Sequence, residues 1–110
     1  MEVEVAVREH ARRLLEGESS AREDLVPGAA VTPADLLAQL GAARFESFEI
    51  VAHAKIGAHH VFKTKFLGST IVVVQARWAR DGDGRWRVRD AEVVRTEAGP
   101  PRATPPPSTL

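Results

Sequence analysis

Val3, Val7 and Leu14, with His10 or Ala11 between them, recur at steps of three and four among charged residues. That spacing predicts an amphipathic helix over 2–16, ended by Gly17. His10 lies on or beside the stripe and reads as a packing histidine rather than a ligand. Ser19 and Ser20 can cap a second short helix over 21–26, which Pro27-Gly28 stops. Thr32-Pro33-Ala34-Asp35 reads as a third helix start: threonine caps, proline takes the first helical position, and the acid sits near the positive helix end. This helix buries Leu36, Leu37 and Leu40 and fades at Gly41.

From Phe45 the period becomes alternating. Phe48, Ile50, Ala52, Ala54 and Ile56 share one face of a strand, and Ser47, Glu49, Val51, His53 and Lys55 the other. Gly57-Ala58-His59 turns into a second strand, with His60, Phe62, Thr64 and Phe66 on one face. Gly68-Ser69-Thr70 leads into a third strand over 71–80. Asp81-Gly82-Asp83-Gly84, the strongest turn signal in the chain, leads into a fourth over 85–96. The expected architecture is α+β, with N-terminal helices packed on a curved antiparallel sheet of about four strands, in one domain over 1–97. Residues 98–110 are proline-rich, with too few apolar side chains to pack, and predict a disordered tail.

Which side chains meet across the sheet depends on hairpin register, because a slip of one residue exchanges the faces. Three-residue loops place His60, Phe62, Thr64 and Phe66 beside Val72, Val74, Ala76 and Trp78, and continue that face into Trp86, Val88, Asp90, Glu92 and Val94. Two-residue loops break this agreement, and the turn residues allow both. The first register gathers the large apolar side chains on one side. The third strand is apolar on its other face too, at Ile71 and Val73, so it needs cover on both sides. The helices supply one cover and a second subunit the other.

Composition narrows the classes of function. The absence of cysteine removes disulfides, thiol chemistry and cysteine-ligated metals. The N-terminus is acidic and unlike a signal peptide, and the apolar run 71–74 is far too short to cross a bilayer. A cytoplasmic protein with no membrane partner is expected. Net charge is zero but unevenly spread: residues 1–50 carry ten acids against five arginines, and residues 51–110 the reverse balance. A neutral domain lacks the long-range field that draws proteins to nucleic acid, so an acidic helical layer beside a basic sheet is the better reading.

Three helices followed by a meander that ends in Trp78-Ala79-Arg80-Asp81-Gly82-Asp83-Gly84-Arg85-Trp86-Arg87-Val88 resemble the NTF2-like superfamily: nuclear transport factor 2, SnoaL-like cyclases and ketosteroid isomerase. The segment Leu25-Val26-Pro27-Gly28-Ala29 and the Thr-Pro start of the third helix resemble its small bacterial members. The resemblance implies a cystatin-like cone whose sheet wraps the helices, a pocket at the wide end, and dimers formed through the outer sheet face. The superfamily mixes enzymes, binders and association modules, so the fold alone does not choose among them.

On the expected pocket face, His60 and Asp90 could form an acid–base pair for a small lyase or isomerase, since a carboxylate among aromatics has a raised pKa. The plainer alternative leaves Asp90 and Glu92 at a solvated rim. Phe62, Thr64, Phe66, Trp78, Trp86 and Glu92 would line a site for a small apolar ligand. No cofactor is implied, and no metal: His59 and His60 are strand neighbours and point to opposite faces, so they cannot easily join His53 around one ion. Arg77, Arg85, Arg87, Arg89 and Arg95, placed around Ile71, Val73, Ala91 and Val93, have the pattern of a dimer interface, an apolar centre with a charged rim. The first expectation is therefore a non-catalytic homodimeric module that binds a small apolar ligand or a protein partner. A pocket filled by the protein's own side chains would make it a pure association domain.

Overall fold

The computed structural model describes residues 2–98. Met1 and residues 99–110 lie outside the described residues, and with them almost all of the expected tail; Ala98 closes the last strand.

Helix α1 (Val3–Leu15) buries Val3, Val7, Ala11 and Leu14, the stripe read from the sequence. It ends where glycine permits a left-handed residue. Gly17 has φ 70°, its N–H reaches Leu14 O at 3.2 Å, and Glu18 N–H reaches Arg13 O at 2.9 Å. Those two bonds form a Schellman ending that satisfies the last carbonyls of the helix.

The expected second helix is corrected. Ser19–Asp24 is a 3₁₀ segment, and the chain then extends as strand β1 (Leu25–Thr32). Pro27 and Gly28 look like helix stops, yet they sit in an edge strand, where a missing N–H breaks no ladder bond. β1 runs parallel to the last strand, with Leu25 opposite Val88 and Ala30, Val31 and Thr32 opposite Asp90, Ala91 and Glu92; residues 26–29 bulge out of the pairing. The sheet therefore has five strands rather than four. Thr32 closes β1 instead of capping a helix, the Thr32–Pro33 peptide is cis, and α2 (Leu36–Ala42) starts after Asp35.

The meander follows as β2 (Ser47–Ile56), β3 (His59–Leu67), β4 (Thr70–Arg80) and β5 (Trp86–Ala98), and the spatial order is β1-β5-β4-β3-β2. Between β3 and β4 the register is the expected one: His60, Phe62, Thr64 and Phe66 face Trp78, Ala76, Val74 and Val72. Elsewhere three extra residues change the faces. A shift at Val51 puts His53 opposite Phe62 and Lys55 opposite His60, so these two share the inner face with Phe48 and Ile50. Shifts at Arg89 and Val94 bring Ala91 and Val93 inward, opposite Ala76 and Val74, and turn Asp90 and Glu92 outward, opposite Arg77 and Gln75. A bulge adds one residue to one strand and so inverts the alternation beyond it.

Both helices pack on one face of the sheet. Trp78, Phe62, Leu36 and Val88 are the largest fully buried side chains, and Val7, Ala11, Leu14, Leu40, Phe66 and Val74 join them in one cluster. On the outer face Ile71, Val73 and Ala79 are 8%, 4% and 4% exposed, and none belongs to that cluster. Ile71 and Val73, for which cover by a second subunit was expected, are thus already shielded within the single chain. Lys65 and Arg95 flank Val73, and Leu67 and Glu97 flank Ile71. Long side chains laid along a sheet cover its apolar positions with their stems. Among the described residues no helix is long and apolar enough to cross a membrane.

Candidate functional site

The inner face of β3 and β4 is packed rather than hollow. Phe62, Thr64, Phe66 and Trp78 are all buried, and Phe66 lies against Phe45 and Phe48 at ring separations of 5.6 and 6.5 Å. The void left between sheet and helices, which His10, Thr64, Leu36 and Trp78 border, measures about 40 Å³. One water takes roughly 30 Å³, whereas small-molecule pockets span roughly 300–1,000 Å³. Four of the residues expected to line a ligand pocket are therefore buried side chains of this packing.

At the end of the sheet where β2 and β3 turn, a histidine pair stands on the inner face. His53 Nε2 lies 2.8 Å from His60 Nδ1, with ring centroids 5.1 Å apart. His53 stacks on Phe62 at 4.0 Å and 11°, and His60 meets Trp86 edge-on at 5.3 Å. The Arg80 guanidinium sits 4.9 Å above the Trp86 ring. Partial burial holds His60 below the usual histidine pKa, and the neighbouring His53 and Lys55 push it the same way. The neutral imidazole is thereby favoured.

Asp90 is not there. It faces the other side of the sheet and pairs with Arg77 at 2.5 Å, while Glu92 stands exposed opposite Gln75. The acid–base pair of His60 and Asp90 is thus not assembled, and the partner that His60 does have, His53, sits on a face the alternation of β2 did not predict. His59, as expected, falls on the opposite face from His60. The described residues contain no group of three potential metal ligands.

Of the arginines expected at an interface, Arg77 is tied to Asp90 and Arg89 is the bulge residue. Arg87 is mostly covered: it contacts Asp81 and donates from Nη1 to Glu23 O at 2.7 Å. It acts as a strut between β5 and the segment before β1.

The sequence reading missed a second polar constellation. His10 and Arg13, one turn apart on α1, both reach Asp24 at the end of the 3₁₀ segment. His10 Nδ1 is 2.8 Å and Arg13 Nη2 2.5 Å from the same oxygen, Oδ2, of a carboxylate whose side chain is 8% exposed. Arg13 also donates to Ser20 O at 3.1 Å, and His10 meets Trp78 edge-on at 5.4 Å. The spacing of His10 and Arg13 was a usable signal, but nothing in the sequence marks Asp24 as their common partner. A carboxylate-oriented imidazole is the arrangement of a general base. Here it borders a void with no room for a substrate, and its work is to tie α1 to the start of β1.

No known family's sequence profile matches the chain, and no curated protein is similar to it in sequence. Solved structures do match. A putative ketosteroid isomerase from Shewanella frigidimarina NCIMB 400 superimposes with a TM-score of 0.59 at 14% identity, over 82% of this chain and 91% of that one. An NTF-2 like protein of unknown function from Silicibacter pomeroyi DSS-3 gives 0.63 at 14% identity, over 84% and 92%. The fold is NTF2-like. At such identities the likeness carries the NTF2-like architecture and not an activity.

Proposed function

We propose that this NTF2-like chain is a non-catalytic association module that pairs with a second copy of itself and binds a protein partner rather than a small apolar ligand. The observation that carries the reading is the cone interior, where Trp78, Phe66, Leu36 and their neighbours leave about 40 Å³. The placement of His60 and Asp90 on opposite faces weighs in the same direction against a lyase or isomerase.

The outer sheet face supports self-pairing through charge rather than through bare apolar surface. Lys63, Gln75 and Glu92 form one row across β3, β4 and β5. A two-fold axis along β4 lays the β3 of one copy over the β5 of the other, so Lys63 of each meets Glu92 of its partner. That is the self-complementarity an isologous interface requires. Sedimentation of the full chain at micromolar concentration tests the pairing, and a dimer is expected. Titration with a steroid-sized apolar compound, followed by the thermal midpoint, tests the filled interior and should give no shift. A monomer throughout, or a saturable rise in midpoint, would overturn the corresponding half of the reading.

A further inference from the structure

At the end of the sheet opposite the His53–His60 pair, a groove opens on the inner face between α2 and the paired ends of β4 and β5. It measures about 170 Å³, and Leu40, Phe45, Val72, Val93, Thr70 and Thr96 line it. Val72 and Val93 are only half-buried there, and Thr70 and Thr96 are exposed. Thr96 lies opposite Val72 and Ala98 opposite Thr70. Residues paired across strands share a face, so Ala98 stands on the inner face beside a residue that lines the groove. Residues 99–110 follow it and begin Gly99-Pro100-Pro101. Pro100 is therefore within about 7 Å of chain from the groove's border.

Size, chemistry and tethering then select the occupant. The groove is smaller than the roughly 300 Å³ at which small-molecule pockets begin and close to the roughly 150 Å³ that holds benzene, so it takes one ring. An apolar groove penalises every polar group brought in unpaired. Proline brings no N–H, and its preformed extended conformation suits aromatic-lined grooves at a low cost in entropy. Too few apolar side chains lie beyond Ala98 to build a core, but a single ring needs only a seat. The tail is joined to the chain at the groove's border, and a short tether gives an effective concentration of about millimolar. A contact too small to hold a free partner then suffices. We propose that this groove seats the Pro100-Pro101 pair of the chain's own C-terminal segment, one ring against Phe45, with its carbonyls turned to the hydroxyls of Thr70 and Thr96. The seat lies on the inner face of the sheet, so it neither uses nor blocks the outer face of the association reading.

The test is NMR of the full chain, run concentrated and dilute. Nuclear Overhauser effects should join the ring protons of Pro100 or Pro101 to the Phe45 ring and to the Leu40 and Val93 methyls, and should persist on dilution. Ending the chain at Ala98 should shift those methyl resonances. Pro100→Ser combined with Pro101→Ser should reproduce that shift, whereas Pro105→Ser, Pro106→Ser and Pro107→Ser together should leave the methyls where they are. Ala43→Leu, which fills the groove from the exposed end of α2, should abolish the proline contacts, and Ala43→Met serves if the leucine variant folds poorly. Three outcomes would each overturn the proposal: no contact between either proline and Phe45, both sets of proline variants acting alike, or contacts that fade on dilution and so belong to a second copy.

Discussion

Asp90 lies directly opposite Arg77 across β4 and β5 and pairs with it at 2.5 Å, on the face of the sheet turned away from His60. Both side chains are well exposed, at 39% and 47%, and exposed pairs are typically worth about 0–1 kcal/mol. Asp90→Asn should therefore change unfolding free energy by no more than ~1 kcal/mol, and leave the NMR titration of His60 where it was. A clear displacement of the His60 curve would place the two on one face after all.

His60 titrates with its own neighbours. Its pKa in the folded chain is depressed, first by burial and then by His53 and Lys55. A histidine depressed on folding contributes stability that is full above its unfolded value, about 6.5, and lost as pH falls through the folded value. Stability should thus decline on acidification below that point. His60→Phe should flatten this part of the profile, and His53→Gln should raise the His60 pKa toward normal, since burial and Lys55 remain. Chemical denaturation across pH 5 to 7 and the imidazole C2–H resonance check the two outcomes.

Asp24 should behave quite differently from Asp90. Its carboxylate is buried and shared by Arg13 and His10, and removing one partner of a buried pair typically costs about 3–5 kcal/mol. Asp24→Ala should be destabilised by that order, and Asp24→Asn by less because an acceptor oxygen survives. A loss in Asp24→Ala no larger than that of Asp90→Asn would mean that the cluster is solvated in solution.

The contrast marks where the sequence could be read. Periodicity alone found α1, the four meander strands and the facing of His60 and Phe62 to Trp78 and Ala76, because a long alternating run admits few registers once its large residues must share a face. It failed at Val51, Arg89 and Val94, each a single residue outside the pairing. A bulge leaves no compositional mark when the residue is β-branched or charged like its neighbours. Every one inverts the faces beyond it, and together they turned Asp90 and Glu92 outward and His53 inward. β1 was hidden for another reason: Pro27 and Gly28 are breakers of a helix and of a central strand, and only the edge position makes them acceptable.

The dimer is tested by charge and not at the apolar centre. Val73 is 4% exposed within a single chain, so Val73→Glu buries a charge in the protomer itself and reports on folding. Glu92 and Lys63 are exposed, and reversing either leaves the core untouched. With the two-fold axis along β4, Glu92→Lys sets the new lysine of each copy against Lys63 of the other, at both ends of the row. Like charges opposed at an interface disfavour the wrong pairing, while matched opposite charges restore it. Glu92→Lys and Lys63→Glu should each shift the chain toward monomer in light scattering, with far-UV circular dichroism unchanged. The double variant should recover the dimer, and raising the salt should weaken it in every form that pairs. If the double variant is as dissociated as the singles, Lys63 and Glu92 do not meet, and the pairing axis lies elsewhere on the sheet.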